Sequence, residues 1–398
     1  MPRMSQNFTV AGGGIAGLAV ALGLARQDAS VTVLEQADAI KEVGAGLQIS
    51  PNGLRVLESL GVGDAIRACG VQAKAVELRD YRRSGVVAQI RLRQTGGDTG
   101  YYFVHRADLI EVLASAARDA GAKVRLLQKV DSVSLNAALN MKMHCGPAFQ
   151  PEVLIGADGV RSVVRPAING SEAPFFTGQV AWRAIVPNVL KQPSVVRVYM
   201  GPKRHLVVYP LRDGSILNVV AVKERAQWAA EGWSQRDDPS NLRASFHDFG
   251  SDVQKLLSQI QDVHVWGLFR HPVAEKWYKG SAVLVGDAAH PTLPFLAQGA
   301  NMALEDAYAL NAEFARNQDL QSAFNTYQQV RQDRASRVIE AANGNAWKYH
   351  LSSAPLRFGA HLGMGLVSRF APQKLVGSFD WLYGYDITRD PLLTGSDV

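Results

Sequence analysis

The sequence predicts an α/β chain: a parallel-sheet nucleotide-binding domain assembled from separate stretches, an antiparallel sheet inserted between them, and long helices toward the C-terminus. Three observations predict it. Residues 7–35 run strand, glycine turn, helix, strand. Residues 177–223 hold short apolar strands separated by turn residues. The segment AVLV at 282–285 returns to a buried strand, followed by a glycine-rich loop and helical periodicity from about 300 to 347.

Each element has its own signal. FTVAG is apolar and β-leaning, GLAVALGLAR has the small, apolar composition of a buried helix, and VTVLE reads as a parallel strand from its continuous apolar run. Ser50-Pro51 places a cap residue before a first-turn proline, so a helix starts there. AVELRD and VVAQIRLR alternate at period two and predict β ribbons. Residues 107–120 repeat apolar positions at helical spacing and stop at Gly121, and VRLL, VDSVSL and VLIGA predict further strands. TGQVAWRAIVP, SVVRVYM, HLVVYPL and ILNVVAV predict the antiparallel sheet. The expected division is 1–73, 105–176 and 276–350 for the nucleotide-binding domain, and 74–104 and 177–275 for the inserted sheet. The aromatic segment 351–398 is left as a packing tail or homodimer contact.

Composition narrows the function classes. The 398 residues are 47% hydrophobic and 20% charged, enough to bury a core without metals or disulfides. Cys69 and Cys145 form no CxxC or His/Cys cluster, which argues against a metal site and fits a reducing, cytoplasmic setting. No run of about 18 apolar residues predicts a membrane span. The opening MPRMSQNFTV enters a strand at once, so no signal peptide is expected. The net charge is +6, but Lys and Arg are scattered without interleaved aromatics. Nucleic acid is therefore not an expected partner, whereas an anionic substrate is compatible.

Gly12-Gly13-Gly14-Ile15-Ala16-Gly17 fits GxGxxG between a strand and a helix, the Rossmann-like fingerprint. Gly12 permits the tight turn, Gly14 lets the backbone approach a pyrophosphate, and Gly17 lets helix and strand pack closely. Ile15 and Ala16 open a helix whose free N–H groups attract phosphate. Glu35 ends the second strand, where its carboxylate can accept from both ribose hydroxyls. Gln36 and Gly46 complete the expected contacts of this half. The motif alone leaves FAD and NAD open.

Two further motifs bear on that choice: Asp158-Gly159 in VLIGADGVRSVVR and Gly286-Asp287 in VLVGDAAHPTLPFLAQGANMALEDA. With them the sequence resembles the single-component flavoprotein aromatic hydroxylases, which include salicylate hydroxylase and 4-hydroxybenzoate hydroxylase. The resemblance runs to about residue 345. It implies a Rossmann-like FAD-binding domain carrying the inserted substrate sheet, and FAD as cofactor. It also implies NADH or NADPH as a transient electron donor, NADH favoured, and oxygen insertion through a flavin C4a-hydroperoxide. Asp287 is then expected at the ribityl chain, Gly299-Ala300-Asn301 at the pyrimidine edge, Arg106 against FAD, and Asp158 near both FAD and the nicotinamide donor. With one GxGxxG, no second nucleotide domain is expected, so the donor would bind along a groove.

An electrophilic oxygen requires an electron-rich ring, which deprotonation of a phenol provides, and histidine suits that task. His205 and Tyr209 lie four apart in HLVVYPL and share a strand face. The pairing resembles the substrate strand of 6-hydroxynicotinate 3-monooxygenase, which implies substrate binding and proton transfer; a core histidine beside a packing tyrosine fits the periodicity equally. Pro294 and Phe295 stand where such relatives carry a polar loop residue, so an apolar pocket roof is expected. Arg183 is either a carboxylate clamp or a sheet-rim residue, Gln48 is a pocket-edge candidate on a loop, and His290 reads as structural. The expected activity is hydroxylation of a salicylate-like aromatic acid. Hydroxylation of 3-hydroxybenzoate, a hydroxypyridine acid or a quinone precursor, a reductase or oxidase without oxygen insertion, and a flavin-dependent regulator stay open.

Overall fold

The apolar strand Asn7–Ala11 lies between Ser30–Leu34 and Val153–Gly156, parallel to both. Lys123–Arg125 extends this sheet on one side and Ala282–Leu284 on the other, also in parallel, with Tyr278–Lys279 as an antiparallel edge. This computed structural model describes residues 6–40, 46–92, 99–136, 138–226 and 235–395, without the side chains of 345 and 346. The helix Ile15–Ala25 is buried along its whole length, as its all-apolar composition requires. Leu18 and Leu22 are fully buried in it, each worth about 1.5–3 kcal/mol. The rings of Phe8 and Phe314 meet at 4.9 Å beneath the sheet.

The second sheet joins, in spatial order, Gln235–Asp237, Val263–Arg270, Phe175–Pro187, Ile216–Glu224, Arg204–Leu211, Val195–Gly201, Ala75–Asp80 and Val86–Arg91. The expected antiparallel pairing holds except between Val195–Gly201 and Ala75–Asp80, which run parallel. The reason is topological. The chain passes through the other sheet between these two strands, and such a crossover permits a parallel return where a hairpin would not. One face packs on the short helices Pro239–Ser245 and Ser251–Leu257 through Phe246, Leu206, Val208 and Leu257. Neither helix nor the Val263–Arg270 strand is expected from the sequence. On the other face, His205, Val207 and Tyr209 look into a cavity. Period-two alternation thus divides the strand Arg204–Leu211 between core and cavity.

Gly46–Ile49 and Val71–Gln72 flank Tyr102–His105 in a small antiparallel sheet between the two large ones. Gln48 therefore sits on a strand and not on the expected loop. The helix Pro51–Ser59 begins as predicted, but the Ser50 hydroxyl does not cap it. It donates to Asn52 Oδ1 at 2.6 Å and accepts from Gln298 Nε2 at 3.0 Å, a better use of a fully buried hydroxyl. The helices Gly299–Arg316 and Leu320–Tyr349 follow the glycine-rich loop. Beyond them, Leu382, Tyr383, Ile387 and Leu393 enter the main core, whereas the helix Ala354–Phe370 buries none of its residues. No helix among the described residues is long and apolar enough to cross a membrane.

Candidate functional site

A cavity of about 960 Å³ runs between the parallel sheet and the inserted sheet. That is near the top of the range of ligand pockets, roughly 300–1,000 Å³, and leaves room for a long ligand beside a small one. Gly12, Gly14, Ile15, Ala16, Glu35, Gln36, Gly46, Arg106, Asp158, Asp287, Gly299 and Ala300 line it, as do Gln48, Arg183, His205, Tyr209, Pro294 and Phe295. Gly17 and Asn301 do not. Gly17 faces the carbonyl of Gly12 and Val10, where a side chain would have no room. Asn301 is fully buried: its Oδ1 accepts from Ser50 N at 3.0 Å, and its Nδ2 donates to the carbonyls of Gln48 and Ala297 at 2.9 Å each.

The residues at the glycine turn fit a bound dinucleotide. Gly12 has φ +107 and backs onto Ala157, while a Cβ on Gly14 would meet open space. That opening lies beside the N-terminus of Ile15–Ala25, where a pyrophosphate gains N–H donors and the helix dipole. Glu35 is already oriented: Oε2 accepts from Gly13 N at 2.7 Å and Oε1 from Ala37 N at 2.9 Å. Asp158 uses Oδ2 to accept from Val163 N and Val164 N at 2.7 and 3.2 Å, leaving buried Oδ1 without a partner. Burial pushes its carboxyl above the usual range, against those hydrogen bonds.

Asp287 is enclosed by protein yet opens onto the cavity, and burial raises its carboxyl despite His290 and Arg106. Its turn, Gly286–Ala288, is held from below. Asp306 Oδ2 accepts from Gly286 N at 2.8 Å and meets His290 Nε2 at 2.6 Å, while Oδ1 accepts from Arg331 Nε at 2.8 Å. Burial alone would raise Asp306, but His290 and Arg331 bring it down to about 2. Glu305 beside it pairs with Arg331 at 2.6 Å and Arg334 at 2.8 Å. These four residues escape a reading of the sequence; a buried acidic pair in a helix carries no local signal until its basic partners are placed. His290, read from the sequence as structural, is buried against Asp306.

At the substrate end, the polar groups are few and the walls apolar. Gly46 provides the space for Tyr209, whose ring atoms would lie only 2.6 Å from a Cβ there. Burial pushes the Tyr209 hydroxyl up, against the pull of Arg183 and a hydrogen bond from Gln48. Gln48 Oε1 accepts from Tyr101 at 2.8 Å, which fixes the amide. Arg183 lies over the Trp266 ring at 4.7 Å, enters none of the described ion pairs, and has a buried Nε without a hydrogen-bond partner. Burial lowers it, against Tyr209. Burial, with Arg183 adding, also brings Arg106 down to about 10, against Asp287. Val220, Val222 and Phe295 complete the wall.

The family described as FAD binding domain matches residues 6–342. The 3-amino-4-hydroxybenzoate 2-monooxygenase of Streptomyces cremeus is 35% identical over 87% of this chain and 89% of its own. The 3-hydroxybenzoate 6-hydroxylase of Polaromonas naphthalenivorans (strain CJ2) is 33% identical, covering 95% and 96%. A salicylate hydroxylase solved as a substrate complex shares the fold at TM-score 0.81 over 99% of both chains, with 23% identity. The glycine turn, Asp158 and Asp287 line one cavity, and the match spans most of the sequence. The chain therefore belongs to the FAD-binding-domain family, among the single-component flavoprotein aromatic hydroxylases.

Proposed function

We propose that this FAD-dependent monooxygenase hydroxylates a monohydroxylated aromatic acid of the hydroxybenzoate class, salicylate-like acids first. The observation that carries this reading is the company of His205 and Tyr209 with an unpaired Arg183 in one largely apolar chamber. When bound, FAD supplies dioxygen activation with electrons from NAD(P)H. Gly12, Gly14 and Gly17 shape its pyrophosphate seat, Glu35 and Gln36 its ribose contact, Asp287 its ribityl contact. Arg106, Asp158 and the helix start at Gly299-Ala300 take the remainder. In this reading NAD(P)H approaches past Asp158 and Arg161, two residues of the cavity lining.

The substrate chemistry belongs to the chain itself. Arg183 receives the carboxylate as a charge-assisted pair, which gives its half-buried guanidinium an anionic partner. His205 accepts the phenolic proton, so the ring becomes electron-rich at its ortho and para carbons. Tyr209 and Gln48 hydrogen-bond the ring substituents, and Pro294 and Phe295 exclude water. A panel of hydroxybenzoates, read as NADH consumed against product mass, tests this. His205→Ala is expected to lower hydroxylation about 100-fold or more with FAD content unchanged. An unaltered rate removes His205 from the mechanism.

A further inference from the structure

His350 follows the long helix Leu320–Tyr349 and lies against His205 on the inserted sheet. The two rings are 4.9 Å apart, and His205 Nδ1 lies 2.7 Å from His350 Nε2. The other nitrogen of His350, Nδ1, lies 3.0 Å from Glu224 Oε1. His205 and His350 are 2% and 4% exposed, whereas the Glu224 side chain is 40% exposed. An unbroken hydrogen-bonded path therefore leads from the cavity wall to solvent.

The path has a polarity. An ionised carboxylate only accepts, so Nδ1 of His350 carries the hydrogen. Nε2 of a neutral His350 is then an acceptor, and His205 Nδ1 donates to it. That assigns the lone pair of His205 to Nε2, on a ring that lines the cavity. Glu224 thus selects, through His350, the tautomer of His205 that can act as a base.

We propose that His205, His350 and Glu224 form a relay that carries the substrate's phenolic proton out of the closed cavity to solvent. The relay rests on the hydroxybenzoate reading and deepens it. The phenolic O–H bond breaks as an N–H bond forms at His205 Nε2. The hydrogen on His205 Nδ1 passes to His350 Nε2, and that on His350 Nδ1 passes to Glu224 Oε1, which releases it to water. The substrate is left as its phenolate, one proton reaches solvent, and no group is oxidised or reduced. The reverse passage reprotonates the product and restores both tautomers.

Tyr349 and Phe295 pack against His205 at 5.3 and 5.4 Å between rings and keep water from the path. Ionisable neighbours on the packed elements are Lys203, Arg204, Lys223, Glu224 and Arg225 from the sheet and its turns, and Lys348 and Tyr349 from the helix. Burial lowers His350, and of these groups Glu224 opposes that shift. Burial, with His350 adding, holds His205 well below the ordinary histidine range, so it passes the proton on and does not store it.

The test uses the full-length flavinated protein with salicylate and 3-hydroxybenzoate as probes. Stopped-flow mixing with a pH indicator reads proton release, and ultraviolet absorbance reads phenolate. Glu224→Gln and His350→Gln are expected to keep ligand affinity and FAD content while proton release slows roughly 10- to 100-fold, with a larger solvent deuterium effect. Glu224 is partly exposed, so its variant retains the fold if His350→Gln does not. Wild-type release rates in Glu224→Gln, or binding to the wild type with no proton released, overturn the relay alone. Failure of both acids to bind the wild type overturns the hydroxybenzoate reading, and the relay with it.

Discussion

Asp287 combines two properties that a purely structural carboxylate rarely has: it is enclosed by the fold, yet it opens onto the cavity. Such a group awaits a hydroxyl donor. Asp287→Ala is expected to reduce FAD retention at least tenfold, the order of one charge-assisted hydrogen bond, while circular dichroism stays unchanged. A fully flavinated variant contradicts the assignment. Gly46→Ala makes a different prediction, because its Cβ would press on the Tyr209 ring. Hydroxylation should fall and peroxide release rise; measuring peroxide against NADH consumed checks this. At this scale the sequence was legible where chemistry follows local period. His205 and Tyr209 share a face because they are four apart on a strand. His350 and Glu224 were not legible, since their meeting joins positions 145 and 126 residues apart along the chain.

Among the elements, the Gly286–Ala288 turn depends on the helix behind it. Asp306 joins Gly286, His290 and Arg331 in a fully buried network. Asp306→Asn leaves Arg331 undercompensated and should cost about 3–5 kcal/mol of unfolding free energy in chemical denaturation. The pH dependence has a definite sign. The folded carboxyl is lowered to about 2, below the unfolded value of about 3.9. Its contribution is thus present above about pH 4 and is lost as pH falls toward 2. Acid unfolding of Asp306→Asn should lack that component, and a curve parallel to the wild type would exclude it. The strands and long helices were legible because periods of 2 and 3.6 are local. The buried Glu305-Asp306 pair was not, because amphipathic reading places adjacent acids at the surface unless their arginines are known.

On the scale of the molecule, one cavity serves both the nucleotide motifs and the substrate strand because the inserted sheet folds over the mouth of the parallel one. The discontinuous order of segments was legible from three motifs separated by ribbon-like sequence. The parallel pairing of Ala75–Asp80 with Val195–Gly201 was not, since strand neighbours from different passes of the chain leave no turn signature. If this chamber inserts oxygen from O2 into an aromatic acid, the product must carry that atom. The direct measurement supplies NADH, a hydroxybenzoate and heavy-oxygen-labelled O2 to the flavinated protein and weighs the product. One labelled oxygen atom is expected in the ring product for each NADH consumed. NADH oxidation that yields only hydrogen peroxide and returns the acid unlabelled contradicts it.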